Sequence, residues 1–288
     1  MRSASIFHRF SSASYAPYGS IQSSYTLSNG HPVYFYTHGP EKADTTFFLL
    51  HGAPGSHKDF KYLAPLLVRE NVNVVAFDLP GNGATGPYPA GGIENLNADN
   101  INRVATEVID NLESKRTFIL GHSCGGHTAI EVASKIKKRV DGLALLNTMG
   151  LRPHQAIRPF PMMNFSARQL QKPGPIRELV AKANHYYFVS LGQFPRRTPV
   201  DVLAFGLQRF GSANFVNTKS FVQDLNERKV PTFIALAHDD VIVEKEVILE
   251  LGQVLPPGIR KEYEIGGHNL QKTQAEDIAE NLIKWSSV

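Results

Sequence analysis

The chain has 288 residues, 42% of them hydrophobic, so it can bury a sizeable core and is not globally disordered. No apolar run reaches the ~18 residues of a bilayer-spanning helix, and the single cysteine, Cys124, excludes an internal disulfide and any cysteine-based metal cluster. The net charge of +4 is uneven: residues 150–220 hold ten basic side chains against Glu178 and Asp201, and the rest of the chain carries more acids than bases.

Residues 1–20 contain Arg2, Arg9, many serines and no acid, and the first acidic residue is Glu41. Such a segment is expected to be a mitochondrial transit peptide, with Arg9-Phe10-Ser11-Ser12 as its cleavage site; the alternative is a disordered tail on a cytoplasmic protein. From residue 21 the pattern becomes regular. Ser28-Asn29-Gly30 separates two strand-forming runs and predicts a hairpin over 21–38. Six more strand-length runs follow, at 45–52, 71–83 (its strand ending at Asp78), 116–123, 140–148, 230–240 and 261–268. Helical periodicity lies between them at 57–70, 98–113 and 126–138, and again at 272–285. Continuous apolar strands alternating with amphipathic helices predict an α/β fold, a mostly parallel sheet covered on both faces. The alternation stops at 150–229, which is rich in proline, aromatics and helical patterns. The expected organisation is therefore a core of 21–149 and 230–288 with a helical lid, 150–229, inserted at the strand ends.

Ligands of an open parallel sheet bind beyond the carboxyl ends of its strands. The third run after the hairpin ends in Gly121-His122-Ser123-Cys124-Gly125 and passes straight into a helix. G-x-S-x-G is weak as a motif alone; between a strand and a helix it predicts a strained turn that presents Ser123 as a nucleophile at a helix N-terminus. A serine needs a base. Of eleven histidines, His268 follows the last strand run in a loop, after Gly266-Gly267. His51, His122 and His238 also lie at strand ends; the first two adjoin motif glycines and read as structural. The base needs an orienting carboxylate, and Asp239 and Asp240 both end the fifth run; the end of the fourth carries Asn147, which is not an acid. The expected oxyanion donors are the backbone N–H of Cys124 and, from the His51-Gly52-Ala53-Pro54-Gly55 loop, that of Ala53, because Pro54 has none. Gly81, Gly83 and Gly86 have G-x-G-x-x-G spacing, but Pro87 and Pro89 follow instead of a helix, so no dinucleotide is expected there.

His51-Gly52-x-Pro54-Gly55, Asp78-x-Pro80-Gly81-x-Gly83-x-Thr85, Gly121-His122-Ser123-Cys124-Gly125-Gly126 and Gly267-His268 together resemble the α/β-hydrolase superfamily, over roughly residues 22–288. Members usually read G-x-x-D-x-I/V-x-P around the acid. Aligned on Ala237 to Glu244, this pattern selects Asp240, although Ala237 and Glu244 depart from it. The resemblance implies a Ser123–Asp240–His268 triad without metal or cofactor, acting on a small ester or thioester through an acyl-enzyme. A catalytically silent binding protein, a peptidase and a C–C bond hydrolase are the alternatives on the same fold. Halide- and epoxide-cleaving members carry an aspartate where this chain has Ser123, and the acyltransferase H-x-x-x-x-D signature is absent because Thr273 takes the acid's place. In the lid, Phe160, Met162, Met163, Phe165, Tyr186, Tyr187, Phe188 and Phe194 are lid core or the lining of an acyl pocket. The basic lid suits an anionic membrane face or an anionic substrate; no nucleic acid partner is expected.

Overall fold

A computed structural model describes residues 19–190 and 194–287. The expected transit peptide therefore lies, apart from Gly19 and Ser20, outside the described residues. The strands are β1 (Ile21–Thr26), β2 (Pro32–His38), β3 (Thr45–Leu50), β4 (Val72–Phe77), β5 (Arg116–His122), β6 (Gly142–Leu146), β7 (Thr232–Ala237) and β8 (Gly258–Tyr263). The helices are α1 (Leu63–Leu67), α2 (Ala98–Asn111), α3 (Cys124–Lys135), α4 (Phe160–Leu170), α5 (Pro175–Ser190), α6 (Val200–Gly211), α7 (Phe215–Glu227), α8 (Lys245–Val254), α9 (Leu270–Thr273) and α10 (Ala275–Ser286).

The strands form one eight-stranded sheet in the order β1-β2-β4-β3-β5-β6-β7-β8. The hairpin β1–β2 and the β2–β4 pair are antiparallel; every other pair is parallel. Alternate residues of the central strands feed opposite cores. Phe48, Leu50, Val75, Phe77, Ile119, Leu143 and Leu145 face the layer of α2, α3, α7 and α8. Phe47, Leu49, Val74, Ala76, Phe118, Leu120, Ala144 and Leu146 face α1, α9 and α10. Both faces are apolar, which is why these strands read as continuous hydrophobic runs.

Two predicted elements differ. The helix expected over 57–70 is a 3₁₀ turn, His57–Phe60, followed by the short α1. Pro65 is the reason: it lacks an N–H and its ring collides with the carbonyl four residues back, at Lys61, where the turn ends. The last strand is Gly258–Tyr263 rather than 261–268. Its residues alternate between exposed and half-buried, the period of a sheet edge, while Gly267 has φ +60°, which no strand holds.

Between β6 and β7, helices α4, α5 and α6 enclose a third apolar cluster built on Met163, Ala167, Leu170, Ala181, Ala204, Leu207 and Phe210. This cluster also takes in Cys124 and Met149, so it rests directly on the end of β5. Val222 and Leu225 of α7 belong instead to the sheet's own core.

Candidate active site

Ser123 stands between β5 and α3 with φ 54° and ψ −126°, outside the conformations ordinary side chains prefer. The glycines around it are forced by contact. A Cβ on Gly121 would come within 2.4 Å of the Gly125 carbonyl oxygen, and one on Gly125 within 2.2 Å of the Leu50 carbonyl oxygen. The turn is pinned by Ser123 N–H, which donates to the Leu146 carbonyl at 3.1 Å, and by its own carbonyl, which accepts from Gly126 N–H at 2.9 Å.

The structure brings Ser123, His268 and Asp240 together. Ser123 Oγ lies 2.9 Å from His268 Nε2, and His268 Nδ1 lies 2.8 Å from Asp240 Oδ2. A carboxylate oxygen only accepts, so Nδ1 carries the proton and Nε2 keeps the lone pair facing the serine hydroxyl. Asp240 Oδ1 accepts from the N–H groups of Ile242 and Val243, at 2.8 and 3.1 Å, which fixes the carboxylate. Asp239 points elsewhere: its Oδ1 accepts from Gly266 and Gly267 N–H at 2.9 and 2.7 Å.

Two residues not assigned to the site from sequence hold the histidine loop. Asn147, fully buried with φ 39°, donates through Nδ2 to the carbonyls of Gly267 (2.7 Å) and His268 (3.1 Å) and accepts Ala237 N–H at 2.9 Å. One amide thus ties the ends of β6 and β7 to the His268 loop. His122 Nε2 donates to the same His268 carbonyl at 2.8 Å. Burial, and secondarily the neighbouring His268, push the His122 pKa down to about 3, so it serves as a neutral donor. An asparagine at a strand end is a signal for neither role, because its three partners come from distant parts of the chain.

Ala53 and Cys124 both line a cavity of about 250 Å³ above Ser123. Their N–H groups have no protein acceptor among the described residues. His51, a fully buried structural histidine, accepts Leu79 N–H at Nε2 (3.0 Å) and donates from Nδ1 to the Gly52 carbonyl at 2.7 Å. Burial lowers its pKa to about 4. The cavity wall is mostly apolar, with Met149, Ile157, Phe188, Leu203, Phe210 and Ile242. Lys272 is its one cation among the described residues, and it is paired with Asp59 at 2.7 Å. Burial acts against ionised Asp59, but the Lys272 contact holds it below the usual carboxylate range.

Of the lid aromatics, Phe188 and Phe194 reach the cavity. Met163 belongs to the lid core with Phe160 packed against it, while Met162, Phe165, Tyr186 and Tyr187 are exposed. The charge of this segment is also partly spent. Arg152 and Arg158 pair with Glu244, Arg152 also with Glu250, and Arg177 and Arg209 are buried.

Sheet order, elbow, and a histidine loop beyond the last strand define an α/β hydrolase. The chain belongs to that family: the model described as "Alpha/beta hydrolase of unknown function (DUF1057)" matches residues 31–282. The uncharacterized protein F35H12.5 of Caenorhabditis elegans is 23% identical over 274 residues, 82% of this chain and 75% of that protein. A 2-hydroxy-6-oxononadienedioate/2-hydroxy-6-oxononatrienedioate hydrolase of Paraburkholderia phymatum is 27% identical over 253 residues, 83% of this chain and 86% of that one. Among solved structures, haloalkane dehalogenase DbeA from Bradyrhizobium elkani superposes with TM-score 0.69 at 18% identity, covering 93% of this chain and 98% of its own.

Proposed function

We propose that the protein is a serine hydrolase that cleaves a carboxylic ester or thioester of an apolar acid through an acyl-enzyme. The observation that carries this reading is the continuous hydrogen-bonded line from Asp240 through His268 to Ser123 Oγ, with steps of 2.8 and 2.9 Å. His268 Nε2 accepts the hydroxyl proton as Ser123 Oγ attacks the carbonyl carbon. The N–H groups of Ala53 and Cys124 stabilise the oxyanion, and His268 returns the proton to the leaving group. Water, deprotonated by the same imidazole, then releases the acid.

Two observations favour an apolar acid over the dioate named for the bacterial relative. The wall is mostly hydrophobic, and its one cation among the described residues is already engaged by Asp59. A serine at the elbow supports acyl transfer rather than the chemistry named for the dehalogenase. A fluorophosphonate probe tests the reading: wild type is expected to label and Ser123→Ala not to. Purified, folded wild type that does not label overturns it in favour of a binding protein. A panel of esters and thioesters of graded acyl length, with a dioate C–C substrate beside it, then ranks the chemistry.

For the segment between β6 and β7 we propose contact with an anionic membrane face. Arg168, Lys172, Lys182, Arg196, Arg197 and Lys219 are exposed and have no side-chain acceptor among the described residues. Met162, Phe165, Ile176, Leu179 and Tyr186 are large apolar side chains exposed in the same segment. Cations interleaved with apolar side chains suit an anionic lipid interface. Flotation with phosphatidylserine vesicles is expected to recover the protein at low salt, and Arg196→Glu/Arg197→Glu to weaken recovery. Equal recovery on zwitterionic vesicles, or none on either, overturns this.

A further inference from the structure

Arg209, on α6, is the largest fully buried side chain among the described residues, 1% exposed, and no carboxylate bonds it there. Burial works against its charge, yet a guanidinium stays protonated inside proteins. An isolated buried cation is costly, so its surroundings should show what it is for. Nη1 donates to the Gly52 carbonyl at 3.0 Å and Nη2 to Thr128 Oγ1, on α3, at 3.1 Å; Nε has no partner. The Thr128 hydroxyl in turn donates to Asn102 Oδ1 at 2.6 Å, and Asn102 Nδ2 donates to Glu131. That glutamate is three hydrogen bonds away and already paired with Lys135 at 2.6 Å, so it does not balance Arg209.

The Gly52 carbonyl and the Ala53 N–H are the two ends of one peptide group. Its oxygen accepts from both Arg209 Nη1 and His51 Nδ1, at 3.0 and 2.7 Å. Both bonds draw electron density towards the oxygen and leave the N–H at the other end a stronger donor. They also fix the plane in which that N–H points. We propose that Arg209 is a positioning residue for the oxyanion site, a cation supplied by the inserted helices that orients and polarises the Gly52–Ala53 peptide. The proposal rests on the acyl-enzyme reading above. A positive charge without a counterion in the resting protein gains one when the tetrahedral oxyanion forms, so its effect falls on the transition state rather than on substrate binding.

The test compares Arg209→Met and Arg209→Lys with wild type on an ester the enzyme turns over. It measures kcat, KM, affinity for an alkyl trifluoromethyl ketone (which forms an anionic tetrahedral adduct on serine) and thermal midpoint. Arg209→Met is expected to lose kcat about 10- to 100-fold with little change in KM. Ketone affinity is expected to fall by a similar factor, the midpoint to hold or rise because an unbalanced buried charge is gone, and Arg209→Lys to recover part of the loss. A folded Arg209→Met with wild-type kcat and ketone affinity overturns the proposal. So does a loss of kcat that leaves ketone affinity intact, or one that tracks a lowered midpoint. If Arg209→Met does not fold, Arg209→Lys decides: kcat and ketone affinity falling together sustain the proposal, and wild-type values overturn it. Wild type that fails to label with fluorophosphonate removes the acyl-enzyme reading itself, whereas labelling at equal rates in wild type and Arg209→Met removes only the role of Arg209.

Discussion

Asp239 and Asp240 are neighbours in the chain but bond to different partners, and substitution should separate them. Asp240→Asn replaces the acceptor at His268 Nδ1 with a group that can donate, so the histidine is expected to be held in the wrong tautomer. A fall in kcat of about 10³- to 10⁴-fold with fold retained is expected from steady-state kinetics. Asp239→Asn keeps an oxygen for Gly266 and Gly267 N–H, and kcat is expected to fall by less than about tenfold. Asn147→Leu strips the Gly267 and His268 carbonyls and Ala237 N–H of one shared partner. Urea denaturation is expected to show a loss of about 2–4 kcal/mol, and kcat to drop as the imidazole loses its anchor. The positions of Ser123 and His268 were legible in the sequence because Gly121 and Gly125 bracket the first and Gly266-Gly267 precede the second; Asp240 was legible only by alignment with a family pattern. Asn147 was visible as a residue but not as a clamp, since its partners lie 90 or more positions away.

Among the elements, the elbow is specified by close backbone contacts. A Cβ on Gly125 would meet the Leu50 carbonyl oxygen of β3 at 2.2 Å, and backbone cannot step aside as a flexible side chain does. Gly125→Ala is accordingly expected to cost about 3 kcal/mol or more, or to abolish soluble expression, as followed by circular dichroism and thermal melting. The buried strands were legible because both faces of the sheet are apolar, so each run stands out from the helices around it. The run read at 261–268 starts three residues late because Gly258 and Arg260 do not look like the start of a core strand, and β8 stops at Tyr263. The division of labour among the inserted helices was hidden for a related reason. Helical periodicity says that α6 has a buried face but not that Arg209 on that face reaches a carbonyl of another loop.

At the scale of the whole molecule, buried histidines set the acid limit. Burial lowers His38, His51, His127 and His154 to about 4, and His122 to about 3, from an ordinary 6.5. Each binds a proton in the unfolded chain at a pH where the folded protein refuses it. Their contribution is therefore complete above 6.5 and is lost as pH falls towards the folded values, at ~1.4 kcal/mol per pH unit for each histidine. Unfolding at pH 5 is expected to take up about four protons, and the thermal midpoint to fall steeply between pH 6.5 and 5; a flat midpoint over that window contradicts the assignment. The carboxylates Asp59 and Asp78, held below their usual range, add their own loss only at lower pH. The lone thiol offers a way to watch such opening at one point. Cys124 follows Ser123, is buried, and has its pKa raised by burial, so a fluorogenic maleimide should react only as fast as the cover over the nucleophile turn opens. The chain carries a built-in clock for the breathing of its own reactive centre, and an adduct that fills the cavity should slow it.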